Sequence, residues 1–260
     1  LQPGLAASES QTYLQNSISN TQSAPSGATL LFVTHRVKQK APGGFWRLGE
    51  SQEVDCHPMD WLEFERGNVP EEFKDLSVLP GVVVDLRYAS ENNFVGRNMY
   101  GEFKTPYLHK VAFEKLKKAN KILQARHPGY NFLILDALRP GRVQRILFDK
   151  VKGTEQEPYV ADPARGSLHS FGFAIDLTLI DKNGNEVDMG TQFDDFTDLA
   201  QPKFEEKFLA EKLLTSQQIA NRKILREAMV AGGFRTIPNE WWHFNALHGE
   251  EVRKNYRIVE

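Results

Sequence analysis

The sequence predicts an α+β fold: a single domain with a mostly antiparallel sheet and flanking helices, beginning near residue 29. Three observations carry this. Short, nearly continuous apolar runs of strand length occur at 131–136 (NFLILD) and 173–180 (FAIDLTLI), as buried strands require. Apolar residues recur at three-to-four spacing after Thr105, the signature of an amphipathic helix. Helical and extended stretches are interspersed without strict βαβ alternation, which argues against an all-parallel sheet.

Taken in order, residues 1–28 are rich in Ser, Gln, Asn, Thr and Ala and lack hydrophobic periodicity. They are expected to form a flexible polar leader. The chain starts at Leu1 with no charged n-region and apolar h-region. This pattern suits a mature periplasmic or otherwise exported protein on a tether, with a cytoplasmic protein as the alternative. Residues 29–75 form an N-terminal extension of unassigned role. Order is expected to begin at the apolar run 30–33, and Pro42-Gly43-Gly44 marks a turn in a mixed stretch holding a few short strands. The β-branched run 82–86 predicts a strand. Thr105 is a good helix cap with Pro106 at the first helical position. Leu108, Val111, Ala112, Leu116, Ala119 and Leu123 then share one face up to Pro128-Gly129. Further helices are predicted over 142–151, 204–214 and 216–231, the last stopped by Gly232-Gly233. Residues 234–237 and 241–244 are expected to be extended.

Composition narrows the function. With 260 residues, 40% hydrophobic and 25% charged, the chain is long enough for a packed core of its own. A formal net charge of -2 offers no basic field for nucleic acid. No apolar run approaches the roughly 20 residues of a membrane span. The single cysteine, Cys56, forms no intramolecular disulfide and is expected to be a small buried apolar residue.

Three segments carry chemistry. In Ser167-Leu168-His169-Ser170-Phe171-Gly172-Phe173-Ala174-Ile175-Asp176, a histidine precedes a turn-forming glycine and an aspartate interrupts an apolar strand. A carboxylate there is costly if buried without a partner. A metal ion is one such partner; a strand aspartate facing solvent is the alternative. In Glu240-Trp241-Trp242-His243-Phe244, strict alternation would put Glu240 and His243 on opposite faces. A turn or bulge at the start of the segment, where Pro238-Asn239 lies just upstream, would bring them together; an aromatic core strand with a satisfied histidine is the alternative. The third segment, Asp136-Ala137-Leu138-Arg139-Pro140, places an arginine at a strand end. It either faces a cleft, where it would stabilise an oxyanion, or pairs with Asp136. Together, His169, Asp176 and His243 form a two-histidine, one-carboxylate zinc set with a fourth position open to water. Glu240 is then the base that such a water needs. The other histidines (35, 57, 109, 127 and 248) lack a comparable carboxylate-bearing strand and are expected to be surface or structural residues.

The motifs SxHxxGxAIDLTL, EWWHF and DALRP, in their usual order, resemble the D-alanyl-D-alanine dipeptidase family of zinc peptidases. Leu138 stands where the family commonly has an aromatic residue. The segment Asp85-Leu86-Arg87-Tyr88-Ala89 with Asn92-Asn93-Phe94, and Met189-Gly190-Thr191-Gln192-Phe193-Asp194, are also similar to family signatures. The similarity runs from Val82 to Phe244. It implies one zinc per chain on His169, Asp176 and His243, Glu240 as base and Arg139 as transition-state stabiliser. It further implies that Asp194 meets the ammonium of a small dipeptide and that Ser167 and Tyr88 help hold it. The implied reaction is hydrolysis of D-Ala-D-Ala in cell-wall turnover or glycopeptide resistance.

Three rivals remain open at this point. A non-haem iron oxygenase also uses two histidines and a carboxylate, but its pair usually stands two residues apart, whereas His169 and Asp176 are seven apart. A zinc D,D-carboxypeptidase or endopeptidase acting on longer peptidoglycan stems would share the metal site. A non-enzymatic peptidoglycan-binding module would have no use for Glu240.

Overall fold

The computed structural model describes the backbone of residues 13–23, 29–40, 46–48 and 52–55, and backbone and side chains from His57 onward. The chain divides into two compact units, Leu1–His57 and Pro58–Glu260. In the first, β1 (Tyr13–Ser23) pairs antiparallel with β2 (Thr29–Lys40), which also pairs with β3 (Trp46–Leu48) and β4 (Gln52–Asp55). The stretch 1–28, expected to be a flexible polar leader, includes the strand β1. A β ladder is built from backbone groups, and polar side chains do not prevent it. Cys56 and the Pro42-Gly43-Gly44 turn lie outside the described residues.

The second unit begins with α1 (Trp61–Glu65), β5 (Phe73–Asp75), β6 (Val82–Val84) and β7 (Tyr107–His109). Next come α2 (Lys110–Arg126), β8 (Asn131–Asp136), α3 (Gly141–Val151) and β9 (Ala174–Ile180). The chain ends with α4 (Glu205–Ala210), α5 (Ser216–Gly232), β10 (Arg235–Thr236), β11 (His243–Asn245) and α6 (Gly249–Asn255). Five strands form one sheet in the order β10-β11-β9-β8-β6. Only the β6–β8 pair is parallel, so the sheet is mostly antiparallel as expected. All seven residues of β9 are buried, and so are all of β8 except Asn131. That explains why both read as continuous apolar runs rather than alternating ones. Among the described residues, no helix is long and apolar enough to cross a membrane.

Strand β6 ends at Val84 rather than at 86, β11 starts at His243 rather than at 241, and two helix boundaries also differ from the sequence expectation. Thr105-Pro106 does not start α2. The Leu76 N–H donates to the Pro106 carbonyl (2.9 Å), and Tyr107–His109 is drawn into an antiparallel pair with β5. The helix begins only after His109, whose Nδ1 accepts the Val111 N–H at 3.3 Å. The tertiary ladder thus overrides a good local cap. The helix expected over 204–214 is shorter. Lys212 takes a left-handed φ of 61°, and Thr215 closes a capping box with Gln218 at the start of α5.

Helix α5 packs against α2, whose predicted apolar stripe supplies the buried Ala112, Leu116, Ala119 and Leu123. The approach is closest at Gly232, where a Cβ would lie 2.5 Å from Ala119 Cβ and 2.8 Å from the Lys115 carbonyl. Backbone on one side leaves little room to relax. Gly232→Ala should therefore lower the urea unfolding free energy by about 1–3 kcal/mol. Gly129→Ala, where nothing lies within 4 Å of the added carbon, should change it by less than about 0.5 kcal/mol.

Candidate metal centre

The buried carboxylate is placed by the register of the sheet. Asp176 in β9 stands directly opposite His243 in β11, so the two side chains are cross-strand neighbours. His169 comes from the turn that leads into β9. This turn is a short 3₁₀ helix, Leu168–Phe171, capped by the Ser167 hydroxyl, which accepts the His169 N–H at 3.4 Å. Gly172 ends it in the left-handed region at φ 71°. A Cβ there would sit 2.8 Å from the His109 backbone nitrogen, so a glycine is needed to turn the chain into β9.

The three residues converge. His169 Nε2 lies 3.2 Å from His243 Nδ1 and 3.3 Å from Asp176 Oδ2, and His243 Nδ1 lies 2.9 Å from Asp176 Oδ1. The outward nitrogens are already engaged. His169 Nδ1 faces the Ala137 carbonyl at 2.8 Å, and His243 Nε2 faces Asn245 Oδ1 at 2.9 Å. Both ring nitrogens donate to those oxygens, so each neutral imidazole turns a lone pair inward. Two lone pairs and a carboxylate aimed at one point repel each other unless a cation sits among them. The donor set thus fits a divalent metal ion with an open position, as expected from the sequence.

Glu240 comes close in the way the motif requires. The chain bends at Trp241 and Trp242 and enters β11 only at His243, so strand alternation does not separate the two residues. A Glu240 carboxylate oxygen lies 3.9 Å from His243 Nδ1. Burial pushes the Glu240 carboxyl up to about 8; His243 and Arg139 oppose this, and Asp176 and Asp194 add to it.

Arg139 pairs with Asp136 and also lines the cleft. Its Nε donates to Asp136 Oδ2 at 2.7 Å, and its Nη1 donates to Gln144 Oε1 at 2.9 Å. Its Nη2 reaches Asp176 Oδ2 at 3.3 Å, and the guanidinium carbon lies 4.8 Å from the centre of the Tyr88 ring. Asp136 is itself fully buried, and Tyr100 donates to its other oxygen at 2.6 Å. Asp194 adopts a left-handed φ of 61°, and the Tyr88 hydroxyl lies 3.0 and 3.1 Å from its two oxygens. Burial, reinforced by the charge of Asp176, holds its carboxyl well above the usual carboxylate range.

All eight residues singled out from the sequence line one cavity of about 390 Å³: Tyr88, Arg139, Ser167, His169, Asp176, Asp194, Glu240 and His243. A larger neighbouring cavity, about 760 Å³, shares only Phe94 and Asp194 with it and contains none of the three candidate ligands. Sequence reasoning missed Tyr100, Gln144 and Asn245. Asn245 had a signal, since it stands two residues beyond His243 on the same face of a strand. His109, expected to be structural, is buried, caps α2 and stacks on Phe173 with ring centres 4.5 Å apart.

Asn245 fixes the tautomer of His243 from behind. Asn245→Leu should therefore weaken metal binding by about 10–100-fold, measured by competition with a chelator. Unchanged affinity would mean that the hydrogen bond does not orient the imidazole.

Comparison with known proteins follows the same residues. The Peptidase_M15 family, described as D-ala-D-ala dipeptidase, matches residues 71–259. This extends beyond the similarity at 82–244 that the motifs alone support. A D-alanyl-D-alanine dipeptidase of Escherichia coli (strain K12) is 36% identical over 174 residues, 66% of this chain and 83% of the relative. One from Enterococcus faecium is 31% identical over 200 residues, 69% of this chain and 92% of the relative. One from Synechocystis is 28% identical over 182 residues, 58% of this chain and 73% of the relative. With the match covering most of the chain, including every residue of the converging cluster, this protein belongs to the Peptidase_M15 family and is a metallopeptidase.

Proposed function

We propose that the chain hydrolyses free D-Ala-D-Ala to two molecules of D-alanine, using one zinc ion per chain. The observation that carries this is the meeting of two imidazole lone pairs and the Asp176 carboxylate in a cavity that Glu240, Arg139 and Asp194 also line. The substrate comes from the relatives in Escherichia coli and Enterococcus faecium, which are named for it. Zinc suits two histidines and a carboxylate; when bound, it polarises a carbonyl and lowers the pKa of water toward about 7.

The protein's own groups do the rest. Glu240 takes a proton from the attacking water as the water oxygen adds to the scissile carbonyl carbon. It then gives that proton to the departing amine as the carbon–nitrogen bond breaks. Burial raises the proton affinity of this carboxyl, which favours taking the proton from the water. Arg139 bears on the oxyanion. Its fork is already locked by Asp136 and Gln144, so it need not reorganise as negative charge develops. Ser167 accepts the His169 N–H and retains its hydroxyl hydrogen for a substrate oxygen.

Asp194 decides between the dipeptide and longer stems. Its buried carboxyl meets the neutral Tyr88 hydroxyl, and a substrate ammonium would supply the positive charge that favours its ionised form. A longer peptide brings a neutral amide to the same place.

Protein purified without added metal should contain zinc near one per chain by elemental analysis; iron as the dominant, activity-restoring metal would overturn the assignment. Glu240→Ala should keep its zinc and lose roughly 10²–10⁴-fold in turnover; loss of the metal instead would make Glu240 a ligand. Wild type should cleave D-Ala-D-Ala and leave both N-acetyl-D-Ala-D-Ala and L-Ala-L-Ala nearly untouched, while Asp194→Ala should lose most of the preference for the free amine. Efficient cleavage of the acetylated substrate by wild type would favour a carboxypeptidase.

A further inference from the structure

We propose that Arg222 is a positioning residue for the amine-binding side of the site, acting through the main chain it holds rather than by touching metal or substrate. This rests on the proposed role of Asp194. Arg222 belongs to α5 and is 1% exposed. A guanidinium buried so completely is costly unless its donors are well used.

Two of its three nitrogens donate to one segment, while Nη1 has no hydrogen-bond partner and faces Glu205. Arg222 Nε donates to the Met189 carbonyl at 2.6 Å, and Nη2 donates to the Leu199 carbonyl at 3.1 Å. These carbonyls stand five residues before and five residues after Asp194. The planar fork therefore pins both ends of the stretch that carries Asp194, which an apolar side chain of the same volume could not do. The preceding residues of α5 extend the grip. Asn221 donates to the Asp188 carbonyl at 2.7 Å, and Gln218 donates to the Asp188 carboxylate at 2.9 Å.

Between the pinned ends, Asp194 holds a left-handed φ of 61°, a conformation uncommon for a residue with a side chain. It persists only where its surroundings over-determine it. Arg222 also reaches the other wall. Its guanidinium carbon lies 5.9 Å from the centre of the Trp241 ring, and the Trp241 indole N–H donates to Thr191 Oγ1 at 2.8 Å. Trp241 is the residue next to Glu240. The counter-charge is Glu205, whose Oε1 lies 3.7 Å from Arg222 Nη1 and which Arg226 also holds. The ends of the segment that carries Asp194 and the neighbour of Glu240 thus rest on one buried cation, outside the metal centre.

The test compares wild type, Arg222→Lys and Arg222→Met, each as the whole, zinc-loaded chain. Three readouts are taken: metal content, steady-state kinetics on D-Ala-D-Ala and its N-acetyl form, and hydrogen exchange of residues 189–199. Arg222→Lys should keep wild-type metal content, raise KM for D-Ala-D-Ala about tenfold and leave kcat within about threefold, because the ammonium contact serves ground and transition states alike. Its preference for the free over the acetylated dipeptide should fall with the rise in KM. Amides 189–199 should exchange at least about tenfold faster, while β8 and β9 keep their protection. Arg222→Met should show larger effects of the same kind; if it fails to fold, Arg222→Lys carries the test. A lower Tm with wild-type KM, preference and exchange would make Arg222 a structural residue only. Metal loss would mean that it acts on the metal centre. If wild type leaves D-Ala-D-Ala uncleaved, the proposed reaction fails, and exchange at 189–199 still decides whether Arg222 holds the segment.

Discussion

A carboxylate in the middle of a wholly buried strand must be compensated, and the arrangement of this molecule follows from how Asp176 meets that demand. Moving a charge out of water costs several kcal/mol even after the protein relaxes. The sheet answers with His243 on the adjacent strand, the turn before β9 answers with His169, and the loop after β8 answers with Arg139. Each answer requires further structure. His169 is aimed by the Ala137 carbonyl, His243 by Asn245, and Arg139 by Asp136 and Gln144. Asp136 is a second buried carboxylate on the neighbouring strand, opposite Asp176 across a shift in register. The single guanidinium of Arg139 serves both.

This arrangement explains why one arginine can be structural and still face the cleft. The sequence poses these as alternatives for Arg139, but the geometry does not separate them. A guanidinium presents five donors in a plane. The bonds to Asp136 and Gln144 hold that plane, and Nη2, 2.6 Å from Asp136 Oδ2, also reaches Asp176 at 3.3 Å. The rigidity gained from the first set is what makes the cation useful to the second.

The parts that were legible in the sequence are those written into a few adjacent residues. The apolar runs of β8 and β9 declare buried strands, and the aspartate inside β9 declares a problem to be solved. His169, Glu240 and His243 stand close to turns that the sequence marks with Gly172 and Pro238. What was illegible depends on partners far along the chain. Nothing near Thr105 shows that β5 will recruit 107–109 and delay α2. Tyr100 acquires meaning only through Asp136, 36 residues away, and Arg222 only through carbonyls 33 and 23 residues away. The strand within the first 28 residues was hidden for another reason: its pairing is a backbone property, and its composition is polar.

The separation of the two histidines along the chain has its own consequence. His169 and His243 are 74 residues apart, and between them lie the Asp194 segment, α4 and α5. An ion that bridges them is a staple across that length. For an unfolded chain, drawing such ends together costs about 4 kcal/mol of loop entropy. In the folded protein the strands have already met that cost, since β9 and β11 are paired. The affinity of the centre therefore reports how firmly the last strand of the sheet stays zipped, and looseness anywhere between residues 169 and 243 is felt as a weaker grip on the ion.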